Sequence, residues 1–275
     1  MNMSFQVVSE PLRTIWMPVD YASGGAATVY VGQIVTHGAL DSCGGVKAWV
    51  VAGESDKTAD HTPFGIVIGT NKRTPAFNTT YKAEYITSTT SHASTADYAL
   101  QEGMWSKGDP AEMVELALLD ATTLIKGSIF NATYGVAPTE AVVTTGSSTG
   151  AGFTCATTGF NFTAVAYNAI YFCRTGANMG IYRIGYDTNA GTGAKTFYHY
   201  WPYDITAGDK FIGANIGLGT CKVMLDSVGT FIDCSAAVGT TNWTWIDVIR
   251  VDFSTAGKEN AIFRINPYAF SPVRT

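Results

Sequence analysis

Apolar and polar residues alternate over short runs along most of this chain, and Gly, Asn, Asp and Ser clusters break the runs. Period-two patterning bounded by such residues reads as strands and turns. Between Ala27 and Phe130, "ATVYVGQIVT" reads as one β-branched strand. "VKAWVVAG" restarts a strand after the "DSCGG" loop, and "ESDKTADHTP" is a polar loop. "FGIVIGT" is a short buried strand and "YKAEYITST" alternates with period two. "GMWSKGDPAEMVELALLD" carries two signals. Asp109 and Pro110 suit a helix cap and first turn, whereas Val114, Leu116 and Leu118 alternate as a strand does. The β-rich surroundings decide for a strand.

Residues 1–26 read as an extended N-terminal arm. Pro11 and Pro18 disfavour helix in the residues before them, and Phe5, Leu12, Ile15 and Trp16 supply apolar anchors. Such anchors dock either on the chain's own domain or on a neighbouring subunit. The second option predicts an arm that is poorly ordered in the free protein. Residues 27–141 form an N-terminal β-rich domain. "VVTTGSSTGAGFTCATTG" (142–159) is rich in Thr, Ser and Gly and reads as a linker or exposed hairpin. Residues 160–275 hold "AIYFCRTG", "GIYRIGYD", "KTFYHYW", "KFIGANIG", "CKVMLD", "WIDVIRVDF" and the closing "AIFRINPYAF". Short strands at this spacing predict a second small antiparallel sandwich or barrel. The fold class expected is mainly β: two antiparallel sandwich- or barrel-like domains with an extended N-terminal arm.

Composition changes this picture little but narrows function. Only 14% of the 275 residues are charged, and the formal net charge is −5. Nucleic-acid binding through the phosphate backbone needs a concentrated basic face, and the densest basic cluster here is "NKR" at 71–73. A nucleic-acid partner is therefore not expected. No basic-then-apolar leader opens the chain, and no apolar run reaches the roughly 20 residues of a membrane helix, so no membrane partner is expected. The five cysteines show no C-x-x-C spacing and read as free buried thiols.

Candidate chemistry is sparse. "GSSTG" (146–150) matches the G-x-S-x-G nucleophile elbow, with Ser148 central. The elbow needs a strand before the serine and a helix after it, and these flanks are more Thr, Ser and Gly. The match reads as chance. The four histidines show no i, i+2 or i+4 pair, and Asp56, Asp60 and His61 in one loop make only a weak cation site. Neither a metal nor any other cofactor is expected. Asp204 and Asp209, in "PYDITAGDKF", read as turn-capping acids and not as a glycosidase pair.

"YHYWPY" (198–203) is the most distinctive stretch. As a strand it would send alternate rings to opposite faces, with Pro202 placing it at an edge or a bend. The exposed set, drawn from Tyr198, Tyr200, Trp201 and Tyr203, then forms part of an oligomer interface, or else a surface that stacks on sugars.

"IYFCRTGANMGIYRI" (170–184), "FYHYWPYDITAGDKFI" (197–212), "TAGKENAIFRINPYAF" (255–270) and the joint "IKGSIFNATYGVAPTE" (125–140) resemble the capsid decoration, or cement, proteins of tailed bacteriophages with HK97-type capsids. The resemblance covers roughly residues 125–270, and its motifs are structural. It implies a non-enzymatic virion protein, most often a homotrimer, assembled in the host bacterial cytoplasm and seated on the capsid exterior. There it would bind and clamp neighbouring major capsid protein subunits. The acidic balance suits an outer surface, and an apolar arm (Phe5, Leu12, Ile15, Trp16) suits strand addition to a partner. Two alternatives stand beside it. One is a phage tail or fibre module that binds host glycans through its aromatics. The other is a carbohydrate-active hydrolase with converging carboxylates.

Overall fold

In the computed structural model the residues described are 5–9, 13–18, 28–37, 46–48, 62–74, 79–81, 85–87, 113–130, 140–155, 169–187, 193–214, 216, 219–225, 232–233 and 243–270. The fold is mainly β, as the alternating pattern predicts, and its strands lie in largely antiparallel sheets, with Ile129–Phe130 parallel to Ile232–Asp233, and in a closed six-stranded barrel. The chain divides into two compact units. One comprises Met3–Ile125 with the short pieces Ser227–Thr230 and Ile265–Thr275; the other is chiefly Lys126–Asp226 and Phe231–Arg264. The division falls at Ile125 and not in 142–159.

In the N-terminal unit the strands are β1 (Gln6–Val7), β2 (Thr14–Pro18), β3 (Thr28–Tyr30), β4 (Ile34–His37), β5 (Val46–Ala48), β6 (Pro63–Thr74), β7 (Thr79–Tyr81), β8 (Tyr85–Thr87) and β9 (Met113–Leu118). The main sheet runs β2-β9-β6-β4-β5, and β3 pairs with β8. The disputed 113–118 segment is a strand. Its Val114 and Leu116 join Val29, Val35, Val46 and Val67 in a β-branched core, with Met17 and Phe64 packed against it. "ATVYVGQIVT" is two strands, not one. Gly32 takes φ +86° and the Gln33 amide donates to the Tyr30 carbonyl, a tight turn that a side chain at position 32 would strain.

The extended arm needs correcting. Phe5 is buried, its amide donates to the Gly32 carbonyl, and the Val8 amide donates to Leu124. β2 pairs antiparallel with β9 along its whole length, Thr14 opposite Ala117 and Pro18 opposite Met113. A segment with this many backbone partners on its own unit is a sheet strand. Arg13 Nη2 also donates to Asp120 Oδ2 at 2.7 Å. The hydroxyl and amide of Thr122, with the hydroxyl of Thr123, donate to Asp120 Oδ1 and hold its carboxyl down at about 2.

The second unit holds β10 (Ile125–Phe130), β11 (Ala141–Thr145), β12 (Gly152–Cys155), β13 (Ala169–Cys173), β14 (Tyr182–Asp187), β15 (Gly193–Phe197), β16 (Lys210–Ala214), β17 (Gly219–Leu225), β18 (Ile232–Asp233), β19 (Trp243–Asp252) and β20 (Asn260–Ile265). The barrel runs β11-β12-β15-β14-β13-β16 and closes through β16 on β11. The remaining strands follow the order β10-β18-β17-β19-β20, and β20 also pairs with β10. The proposed linker 142–159 is thereby corrected: Ala141–Thr145 and Gly152–Cys155 are barrel strands joined by the "GSSTG" turn. Thr and Gly are compatible with such a ladder, and the strongest inward signals are only Val143, Phe153 and Cys155.

We expect Phe5→Ala to destabilise the protein by about 3–5 kcal/mol. Deleting residues 1–17 should lower the thermal midpoint strongly. A midpoint within a degree or two of the intact chain would show that the segment contributes nothing to its own unit.

Candidate functional site

The barrel interior is filled by aromatic rings. Phe153 stacks on Phe211 with centroids 4.5 Å apart, and Tyr171 meets Phe197 edge-on at 5.2 Å. Trp201 meets Phe197 at 5.3 Å and Phe211 at 5.1 Å, both edge-on. Its indole is 3% exposed, and the Arg183 guanidinium lies 5.7 Å from the ring centroid. Trp201 belongs to a loop and not to a strand, because β15 ends at Phe197.

This placement corrects the reading of "YHYWPY" as an edge strand. The residues form a loop that sends the indole inward and three phenols outward: Tyr198 is 52%, Tyr200 67% and Tyr203 59% exposed. Trp201 is therefore removed from the candidate interface set, and the three tyrosines remain available to solvent. Met179, 68% exposed, joins them from the turn after β13. It was missed in the sequence because one methionine in "TGANMG" carries no pattern.

Backbone and side-chain bonds fix this loop. The Trp201 amide donates to the Gly150 carbonyl at 3.1 Å, and Ser147 and Ile205 exchange amide-to-carbonyl bonds at 2.9 and 3.0 Å. Asn178, fully buried, accepts from the Tyr203 amide and donates to the carbonyls of Tyr203 and Asp204. Arg183 Nε donates to the Tyr200 carbonyl. Asp209 accepts from the amide and hydroxyl of Thr206, a turn cap of the kind its sequence position predicts.

The same contacts explain "GSSTG". Gly150 has φ +65°, and a β-carbon there would meet the Trp201 carbonyl oxygen at 2.7 Å; one at Gly146 would collide with the Ile205 carbonyl. Both glycines let the hairpin turn approach the aromatic loop. Ser148 sits exposed in that turn, with β12 and no helix after it. The motif is thus an instrument of loop packing, and its geometry is not that of a nucleophile elbow.

Of the residues assigned to a capsid-contacting arm, Phe5 is buried in its own unit and Leu12 lies outside the described residues. Ile15 is 41% and Trp16 36% exposed on β2, the terminal strand of its sheet among the described residues. Asp56, Asp60 and His61 lie outside the described residues. Among the described residues no cluster of three or more His, Cys, Asp or Glu side chains is placed to hold a metal ion, and no helix is long and apolar enough to cross a membrane.

Cys155 and Cys173 are thiols, not disulfide-bonded, and are buried in the barrel. Burial pushes the Cys173 thiol up to about 11, and the thiol donates to the Thr175 carbonyl. A thiol so suppressed is a poor nucleophile at neutral pH. Site-resolved mass spectrometry after brief alkylation should find Cys155 and Cys173 unmodified in the native protein and modified in denaturant. Rapid native labelling of Cys173 would contradict its placement.

The ring arrangement also separates neighbours in the sequence. Trp201→Ala should cost roughly 3–5 kcal/mol in urea unfolding, because it empties the barrel end. Tyr200→Ala should change stability by no more than about 0.5 kcal/mol, since its ring already faces water. Equal effects from the two would refute the inward indole.

No family model matches the chain, and neither the curated proteins nor the solved structures include a match to it.

Proposed function

We propose that this chain is a structural virion protein that decorates the outer face of an HK97-type phage capsid, binds major capsid protein subunits and assembles as a homotrimer. The observation that carries the reading is the outer edge of β2. There Ile15 and Trp16 stay substantially exposed on a strand whose backbone is already held by β9. An apolar sheet edge that is ordered before it meets a partner suits assembly by strand addition, with main-chain bonds giving affinity and side chains giving specificity. Arg13, the nearest basic residue on this edge, is paired with Asp120 and is a weak guard against such pairing. The resemblance of residues 125–270 to decoration proteins supplies the capsid as partner. In this reading the chain is no enzyme, and Ser148 serves only its turn.

The mode of contact differs from a disordered arm that orders on the capsid. Here the contact strand is part of the folded unit, so little ordering entropy is lost on binding. Many copies per particle then add by avidity.

The test is co-sedimentation of the purified chain with capsids that lack it. We expect the wild-type chain to pellet with them, and the double variant Ile15→Asp, Trp16→Asp to stay in the supernatant with its thermal midpoint little changed. Mass photometry should give three copies of the 29.3 kDa chain. Undiminished pelleting of the double variant would move the contact elsewhere, and a monomer at micromolar concentration would overturn the trimer.

A further inference from the structure

We propose that the tyrosine loop at the barrel end is a second binding site, a platform for neutral, hydroxyl-rich carbohydrate. This goes beyond the capsid reading and does not depend on it. Tyr198, Tyr200 and Tyr203 project from six consecutive residues, and the Asn178 side chain ties the Tyr203 backbone to the turn that bears Met179. The backbone beneath the rings is bonded at Gly150, Ser147, Asn178 and Arg183, so the loop that carries them has little conformational freedom left to lose.

The chemistry of the surface selects the ligand. A phenol ring offers an apolar face to the C–H face of a pyranose and a hydroxyl to the sugar's own hydroxyls. Asp204, exposed between Tyr203 and Ile205, adds a carboxylate acceptor, and no described side chain pairs with it. The nearest cation, Arg183, is committed to the carbonyls of Tyr182 and Tyr200 and to the Trp201 ring. Arg183 keeps its positive charge in these contacts, and with the Asp204 carboxylate these two groups leave the patch no excess of either sign, which suits a neutral sugar. His199, Pro202 and Asp204 are also exposed and interleave the rings, so the continuous apolar centre of a protein interface is not formed.

The test is saturation-transfer NMR and calorimetric titration of the full chain. The probes are neutral hexasaccharides of glucose, mannose and N-acetylglucosamine, with sialyllactose as the anionic control. We expect at least one neutral sugar to bind and sialyllactose not to. Tyr200→Ala and Tyr203→Ala should each weaken binding about tenfold with the thermal midpoint unchanged, and Tyr203→Phe should retain most of the affinity. The proposal is overturned by silence from every neutral sugar at about 10 mM, by preference for sialyllactose, or by alanine variants that bind as well as wild type. It is equally overturned if those variants change the oligomeric state but leave sugar binding intact, because the rings would then be a protein interface.

Discussion

The burial of one indole organises the second unit. Trp201 enters the barrel end between Phe197 and Phe211, and the loop carrying it must follow. Its Nε1 is buried without a hydrogen-bond partner among the described residues. An orphaned donor costs about 1–3 kcal/mol, so the ring contacts and the Arg183 guanidinium must outweigh that penalty for the indole to stay inside. Once the indole points inward, Pro202 and the Gly150 and Ile205 contacts fix its flanks, and the neighbouring phenols have no interior left to enter. The exposed tyrosines are a consequence of the buried tryptophan.

The barrel wall shows the same economy at β13. All five of its residues are buried. Ala169, Tyr171 and Cys173 face the barrel core. The alternate residue Phe172 packs on Tyr182, which in turn meets Phe253 after β19. The Tyr182 hydroxyl accepts from the Phe253 amide, and burial raises its pKa above the ordinary phenol value. Arg174, at the end of β13, donates to the Phe253 carbonyl and to Glu259 Oε1 at 2.5 Å. Glu259 is fully buried, and its second oxygen has no hydrogen-bond partner among the described residues. A buried carboxylate half-satisfied in this way depends on its arginine, and removing only the arginine would strand a charge in low dielectric. Arg174 therefore fixes the relation of the barrel to β20 more rigidly than the apolar contacts alone.

Individual strands were legible because their side chains alternate locally. β20 reads directly, since Ala261, Phe263 and Ile265 are buried and their neighbours only half-buried. β9 was read correctly as a strand because its β-rich surroundings outweighed a helix-start signal at Asp109 and Pro110, and its Val114 and Leu116 are buried. Of the two readings of 142–159, the hairpin holds over its described residues and the linker fails, and the pattern could not choose because its glycines serve a partner distant along the chain. Gly146 and Gly150 are needed by Ile205 and Trp201, and no local window contains that information. The aromatic loop was misread for a related reason. Period two assigns Trp201 and His199 to one face, yet the fold buries the indole and leaves the imidazole in water. Barrel closure, with Ala141 opposite Phe211, is likewise a long-range pairing that no periodicity encodes. At the candidate sites the residue types were legible and their directions were not: Phe5 and Trp201 turned inward, and only the remainder could face a partner.

The two surfaces left over differ in physics, and each matches its place in the fold. Among the described residues β2 is the strand at the end of its sheet, so there its unpaired resource is main chain, and Ile15 and Trp16 add apolar area beside it. Main-chain edges recognise other extended chains and give little chemical discrimination by themselves. The tyrosine loop offers the opposite resource. Its amides at Trp201, Tyr203 and Ile205 and its carbonyls at Tyr200, Tyr203, Asp204 and Ile205 are already bonded, so recognition falls chiefly to side chains. A loop with its backbone satisfied cannot extend a sheet, whereas a bare edge strand cannot present several rings in a fixed arrangement. The proposed assembly with protein therefore suits β2 and the proposed recognition of a hydroxylated ligand suits the loop, because their hydrogen bonding leaves different groups available.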